Sequence, residues 1–235
     1  MGSYNVHAGH GKQDSKSCGA VGLIKESVEN RLVKDEVISL LRKKGHTAYD
    51  CTVDYPADAN DCVRKQIANC NKHKVDLDIS IHFNSGRNDT KGDNDTGGVE
   101  VLVCNKTGTK QEYAKRVCAS ISKLGYTNRG VKVRTNLGYL NKVTNQCILI
   151  ECCFVDDKDD VKKYNYKEMA KAIVEGILNE TINTTQTTTQ TNSAGKKLYY
   201  QVVCGSFQDK RNAESMKADL EKAGFKGVFL EAEYR

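Results

Sequence analysis

Two histidines and two glutamates, His10, Glu26, His82 and Glu151, are of the residue types from which hydrolytic sites are built. His10 sits in a Gly9-His10-Gly11 turn just after a short run of strand character, Tyr4 to His7. Glycines on both sides leave its side chain free to project. His82 lies near the end of a second apolar run, Asp76 to Phe83, and Glu26 opens an amphipathic stretch. Two imidazoles and one carboxylate form a zinc donor set that leaves a fourth position for water. Glu151, closing the apolar run Cys147 to Ile150, would then act as general base and pass the proton to a leaving amine. Each residue also has a plainer reading. Glu26 can be a helix N-terminal charge favoured by the dipole, Glu151 a strand-end ion-pair partner, and a single histidine an ordinary hydrogen-bonded residue. Spacing alone leaves these alternatives open.

The elements that must position these groups alternate in type along the chain. Glu26 to Lys44 reads as a helix with Val28, Leu32, Val33, Val37, Leu40 and Leu41 on its apolar face, ended by Gly45. Thr47 to Thr52 is a strand, and Ala59 to Lys72 a helix with Cys62, Val63, Ile67 and Cys70 inward. The loop 86–98 is rich in Asp, Asn and Gly, and is followed by a strand Val99 to Val103 and a helix Lys110 to Leu124. Asn128 to Val133 is extended, Cys147 to Glu151 reads as a central strand, and Lys167 to Leu178 as a closing helix. This alternation predicts an α/β fold, a twisted mixed or mostly parallel sheet flanked by helices. In such sheets, sites gather at the carboxyl ends of strands, where His10 and His82 can converge.

At 235 residues the chain can bury one good core with a small second module. A net charge of +6 favours an anionic partner, yet the lysines are scattered rather than clustered, which argues against nucleic acid. No stretch is long and apolar enough for membrane insertion. Met1-Gly2-Ser3 leads straight into a strand without the basic and apolar regions of a signal peptide, so synthesis in the cytoplasm is expected. Ten cysteines could suggest disulfides, but Cys62, Cys70, Cys118, Cys147 and Cys204 occupy apolar periodic positions, so mostly free thiols are expected.

Five separated motifs carry a resemblance. They are Ala8-Gly9-His10-Gly11, Gly22 to Glu26 with Asn30, Ser80-Ile81-His82-Phe83-Asn84, Arg129-Gly130-Val131-Lys132, and Ile148 to Glu151. In this order they resemble the zinc-dependent N-acetylmuramoyl-L-alanine amidases of type 3, over roughly residues 3 to 179. The resemblance implies His10, Glu26 and His82 as ligands of one zinc per chain, Glu151 as the catalytic carboxylate, and Arg129 and Asn84 as substrate contacts. It also implies bacterial peptidoglycan as partner and cleavage of the amide between N-acetylmuramic acid and L-alanine. Two departures stand out. His7 replaces a more usual Asp and becomes a decoy ligand, and Cys152-Cys153-Phe154 replaces the small residue and glycine that commonly follow the glutamate. The thiols raise a rival cysteine hydrolase with His82 as base.

The expected organisation is a catalytic domain over residues 1–180, a Thr/Gln-rich linker over 181–196 and a C-terminal module over 197–235. The last part reads as strand Leu198 to Cys204, helix Lys210 to Ala223 and strand Val228 to Glu231. This small βαβ unit resembles the first half of a sporulation-related repeat domain, a type that binds glycan strands. An enzyme made in the cytoplasm would reach the wall after release, in phage lysis or mother-cell lysis. The alternatives are a zinc peptidase acting on stem peptides and a non-catalytic wall-binding protein, and a homo-oligomer stays open.

Overall fold

A computed structural model of the protein describes residues 1–182, the helix Lys210–Lys222 and Gly224. Its first unit, Met1–Thr184, is built on one six-stranded sheet. In chain order the elements are β1 (Ser3–Ala8), α1 (Glu26–Lys43), β2 (Thr47–Asp50), α2 (Ala59–Cys70), β3 (Leu77–Asn84), β4 (Val99–Val103) and α3 (Thr109–Ser122). There follow β5 (Asn128–Val133), α4 (Gly138–Lys142), β6 (Cys147–Phe154), α5 (Lys158–Lys163) and α6 (Tyr166–Leu178). The strand order is β2-β1-β3-β6-β4-β5. All neighbouring pairs are parallel except β4 with β6, which is antiparallel, so the sheet is mixed as the alternation of elements predicts. The second unit, Thr185–Arg235, contains the helix α7 (Lys210–Lys222). The two strands expected on either side of it lie outside the described residues.

Strand alternation assigns the two faces different work. Tyr4, Val6, Leu77, Ile79, Ile81, Ile148 and Ile150 enter the main core with α1, α3 and α6. The intervening positions of β1 and β3 are polar: Asn5 and His7, then Asp78, Ser80 and His82. A smaller apolar cluster on Cys51, Cys70, Leu102, Tyr139, Leu140, Cys147 and Leu149 involves α2 and α4. Polar residues can be buried on that second face because partners meet them. Asn5 donates to Cys70 O and to Asp78, and Asn145 donates to Asp78 as well.

Several positions differ from the sequence reading. Leu32 and Val63 are exposed, while Ile38 and Gln66 take buried places in α1 and α2. Gln66 is inward because its amide donates to Ala8 O at the end of β1. The last strand runs to Phe154, three residues past Glu151, and α4 and α5 are short helices in segments without helical periodicity. Cys152 and Cys153 are fully buried, and all nine described cysteines are free thiols. Cys204 lies outside the described residues. The polar loop before β4 is held by carboxylates. Asp159 accepts the N–H groups of Asp93 and Asn94, Asp157 that of Gly97, and Asp160 that of Gly98. Among the described residues, no helix is long and apolar enough to cross a membrane.

Candidate metal and catalytic site

The site forms at the carboxyl ends of β1, β3 and β6, from residues that each element delivers by a different device. His10 lies two residues past β1 in the left-handed region, φ 62°, which a non-glycine side chain enters only when its surroundings hold it there. Two side chains of α1 supply that hold: Asn30 donates to Gly9 O at 2.7 Å, and Arg31, tied to Asp54, reaches His10 O. Glycine is required at 9 for a steric reason, since a Cβ there would come within 2.1 Å of the His82 ring. Gly19 combines φ +73° with a Cβ position 2.5 Å from Glu26 Oε2, so both conformation and space exclude a side chain.

Glu26 is the first residue of α1 and is buried, but it does not cap its own helix. Its Oε2 accepts the Ala20 N–H at 2.8 Å and its Oε1 accepts the Phe83 N–H at 3.1 Å. The same Oε1 lies 3.0 Å from His82 Nδ1, and Oε2 lies 3.5 Å from His10 Nε2. The two imidazole rings cross edge-on with centroids 4.9 Å apart. One ligand atom from each of the three residues thus falls within 4.8 Å of the others. Two ring nitrogens and one carboxylate so gathered suit zinc, and backbone N–H groups fix the carboxylate from behind, as metal ligands usually require.

The electrostatics follow from burial and from this contact. Burial alone would depress His82, but the hydrogen bond and charge of Glu26 outweigh it and hold its pKa above the ordinary value. Glu26 responds oppositely: burial would raise it, and His82 and His10 bring it below the ordinary carboxylate range. His10 is lowered by burial and by the neighbouring His82.

Glu151 pairs in register with His82 on β3 and with Glu100 on β4, so the three side chains share one face in a row across three strands. Burial, reinforced by the charges of Glu26 and Glu100 and opposed by His82, pushes its carboxyl up to about 7. Among the described residues its buried Oε2 has no hydrogen-bond partner, so it is available to a reacting group.

The remaining expectations separate cleanly. Asn84 and Arg129 stand beside this row, both bonded to the Glu100 carboxylate at 3.3 Å and 2.9 Å. His7 is buried on β1, edge-on to Tyr139, and belongs to neither group of metal-binding geometry among the described residues. The cysteine alternative fails on chemistry, because complete burial pushes the Cys152 and Cys153 thiols well above their ordinary pKa. Reasoning from motifs missed Glu100, although one carboxylate inside the apolar run Val99 to Val103 was a visible signal.

Comparison with known proteins gives concordant results. Residues 5–183 match the family profile Amidase_3, described as N-acetylmuramoyl-L-alanine amidase. The structure is similar to the catalytic domain of CD27L, an endolysin targeting Clostridia difficile, with 28% identity and a TM-score of 0.69. That match covers 78% of this chain and 100% of the other. An uncharacterized protein of Clostridium perfringens is 32% identical over 176 residues, 73% of this chain and 50% of its own length. The endolysin of Bacillus phage SPP1 is 29% identical over 179 residues, which are 73% of this chain and 63% of that protein. The chain thus spans about half the length of the Clostridium perfringens relative.

Proposed function

The chain belongs to the N-acetylmuramoyl-L-alanine amidase family, and from that premise we propose that it hydrolyses the amide joining N-acetylmuramic acid to L-alanine in peptidoglycan. The observation that carries the reading is the convergence of His10, Glu26 and His82 within 4.8 Å, beside the buried Glu151. His10, His82 and Glu26 would hold one zinc ion. Zinc in such a site supplies Lewis-acid activation of water and of the scissile carbonyl.

The chain's own groups do the rest. Glu151 takes a proton from the attacking water on its unpartnered Oε2 and returns it to the leaving amine of L-alanine. Burial suits it to both steps, because a carboxyl near neutrality accepts and releases a proton readily. Glu26, fixed by Ala20 and Phe83 N–H groups, keeps the two imidazoles in place at the site. Arg129 and Asn84 contact the substrate at the far end of the row.

The catalytic domain would extend to residue 184 rather than end at 180, because Ile182 packs into the main core, and the remainder would supply a linker and a wall-targeting module. The enzyme would act on the wall after release from the cell that makes it. The test is digestion of purified walls with mass assignment of the new ends. Free L-alanine amino termini with intact glycan support the amidase. New termini inside the stem peptide would mark a zinc peptidase, and no new termini a wall-binding protein.

A further inference from the structure

The polar row does not stop at Glu151. Glu100, its partner on β4, is buried, and each of its oxygens is committed: Oε1 accepts from Asn84 Nδ2 and Oε2 from Arg129 Nε. Arg129 comes from β5, next to the register shift that displaces Gly130 opposite Glu100. Its guanidinium also lies over the Phe154 ring, 5.1 Å from the centroid. The head group is therefore fixed on one edge and one face. Among the described residues its terminal nitrogens make no hydrogen bond, and the side chain is 39% exposed. A guanidinium held by Nε alone presents a planar fork of N–H groups, the shape that matches a carboxylate.

We infer that Arg129, oriented by Glu100 and Phe154, is a specificity-determining residue that binds a free carboxylate on the peptide side of the substrate. Glu100 is its positioning residue. The inference rests on the amidase reading and specifies the substrate class for the same site. Neighbouring strands lie about 4.8 Å apart, so Glu100 stands about one strand spacing from Glu151 and the Arg129 fork roughly another beyond. An extended peptide advances about 3.3 Å per residue, which places the recognised carboxylate about two to three residues from the scissile amide. A buried Glu100 carboxylate left without Arg129 would be an unpaired charge, so the pair also explains how an acid persists inside an apolar strand.

The test compares synthetic muramyl peptides carrying a free carboxylate or a carboxamide at the second and third residues. Wild type, Arg129→Ala, Arg129→Lys and Glu100→Gln are assayed for kcat and KM separately, with zinc content and Tm as controls. For wild type, amidating the recognised carboxylate should raise KM about tenfold and leave kcat within about twofold. Arg129→Ala should bind both substrates equally, and Arg129→Lys should keep only part of the preference, having charge without the fork. Glu100→Gln should lose most of the preference while Arg129 is still present. If Glu100→Gln does not fold, the half-exposed Arg129 variants decide the matter alone. Equal KM for acid and amide peptides in wild type, with cleavage at the muramyl amide, would overturn this inference and leave the amidase standing. Cleavage of neither peptide would overturn both.

Discussion

Glu26 Oε1 lies 3.0 Å from His82 Nδ1, joining residues 56 positions apart in the chain. The groups around this contact are held from within the protein, since backbone N–H groups fix the Glu26 carboxylate while Asn30 and Arg31 hold the His10 turn. Chelation should therefore leave the circular dichroism unchanged, lower Tm, and abolish wall hydrolysis until zinc is returned. Metal analysis should find about one zinc per chain. His10→Ala and His82→Ala should hold none under the same conditions, and Glu26→Gln should lose metal first and activity as a consequence.

Gly9 offers a test of how tightly the site is built. Its Cβ would stand 2.1 Å from His82 Cε1 and 2.2 Å from Nε2, so Gly9→Ala must push the ring off Glu26. Overpacking of this kind costs about 1–3 kcal/mol. Loss of zinc with only that modest fall in chemical stability is the expected result, read by metal analysis and urea titration.

At Glu151 the predicted separation is between binding and chemistry. Glu151→Gln keeps the shape but cannot take a proton, and general acid–base catalysis contributes about 10²- to 10⁴-fold. Turnover should fall by at least that order while zinc content stays at the wild-type level. Thermal stability should be equal or slightly higher, since the burial that raises this carboxyl penalises its charged form. Near-normal hydrolysis with full zinc would require another base.

The fold was legible where one face of an element is apolar. β1, β3 and β4 show it, and so does α1 through Val33, Val37, Leu40 and Leu41. The residues that converge at the candidate site were legible because each is a chemically distinctive residue at the end of such an element. What the sequence hid depends on neighbours distant in the chain. Leu32 looks apolar and helical but faces solvent, whereas Lys34 is buried because Asp50 and Asp35 receive its ammonium. The end of β6 was hidden for a similar reason. Only its pairing of Phe154 with Asn84 shows that the strand continues past Glu151. The helices α4 and α5 have 5 and 6 residues, too few to display a period.

Truncation tests the organisation of the chain. Helix α6 packs its Met169, Ile173 and Ile177 into the main core, and Ile182 is the last described residue of that cluster. A protein ending at Asn192 retains all of these, and should fold, load zinc and cleave walls. Weaker co-sedimentation with purified walls than the full chain would support a targeting role for the remainder.

His7 supplies a prediction about acid stability that is independent of catalysis. The ring is fully buried, its Nδ1 is 3.2 Å from Ala8 O, and among the described residues its Nε2 has no hydrogen-bond partner. Burial, helped by the charges of His82 and His10 and opposed by the Ala8 carbonyl and Asp50, pushes its pKa down to about 3. The unfolded chain takes up that proton near pH 6.5, so between those values the unfolded state binds more protons and stability rises with pH. The neutral ring therefore costs nothing above about pH 6.5, and its share of stability drains away as pH falls, by about 1.4 kcal/mol per unit. His7→Gln fills similar space without titrating. Denaturant unfolding at intervals from pH 8 to pH 4 should show the wild type losing stability more steeply than the variant below pH 6.5, with parallel curves above pH 7. Equal slopes would mean that the His7 ring is protonated in the folded protein, and that its environment is wetter than its burial indicates.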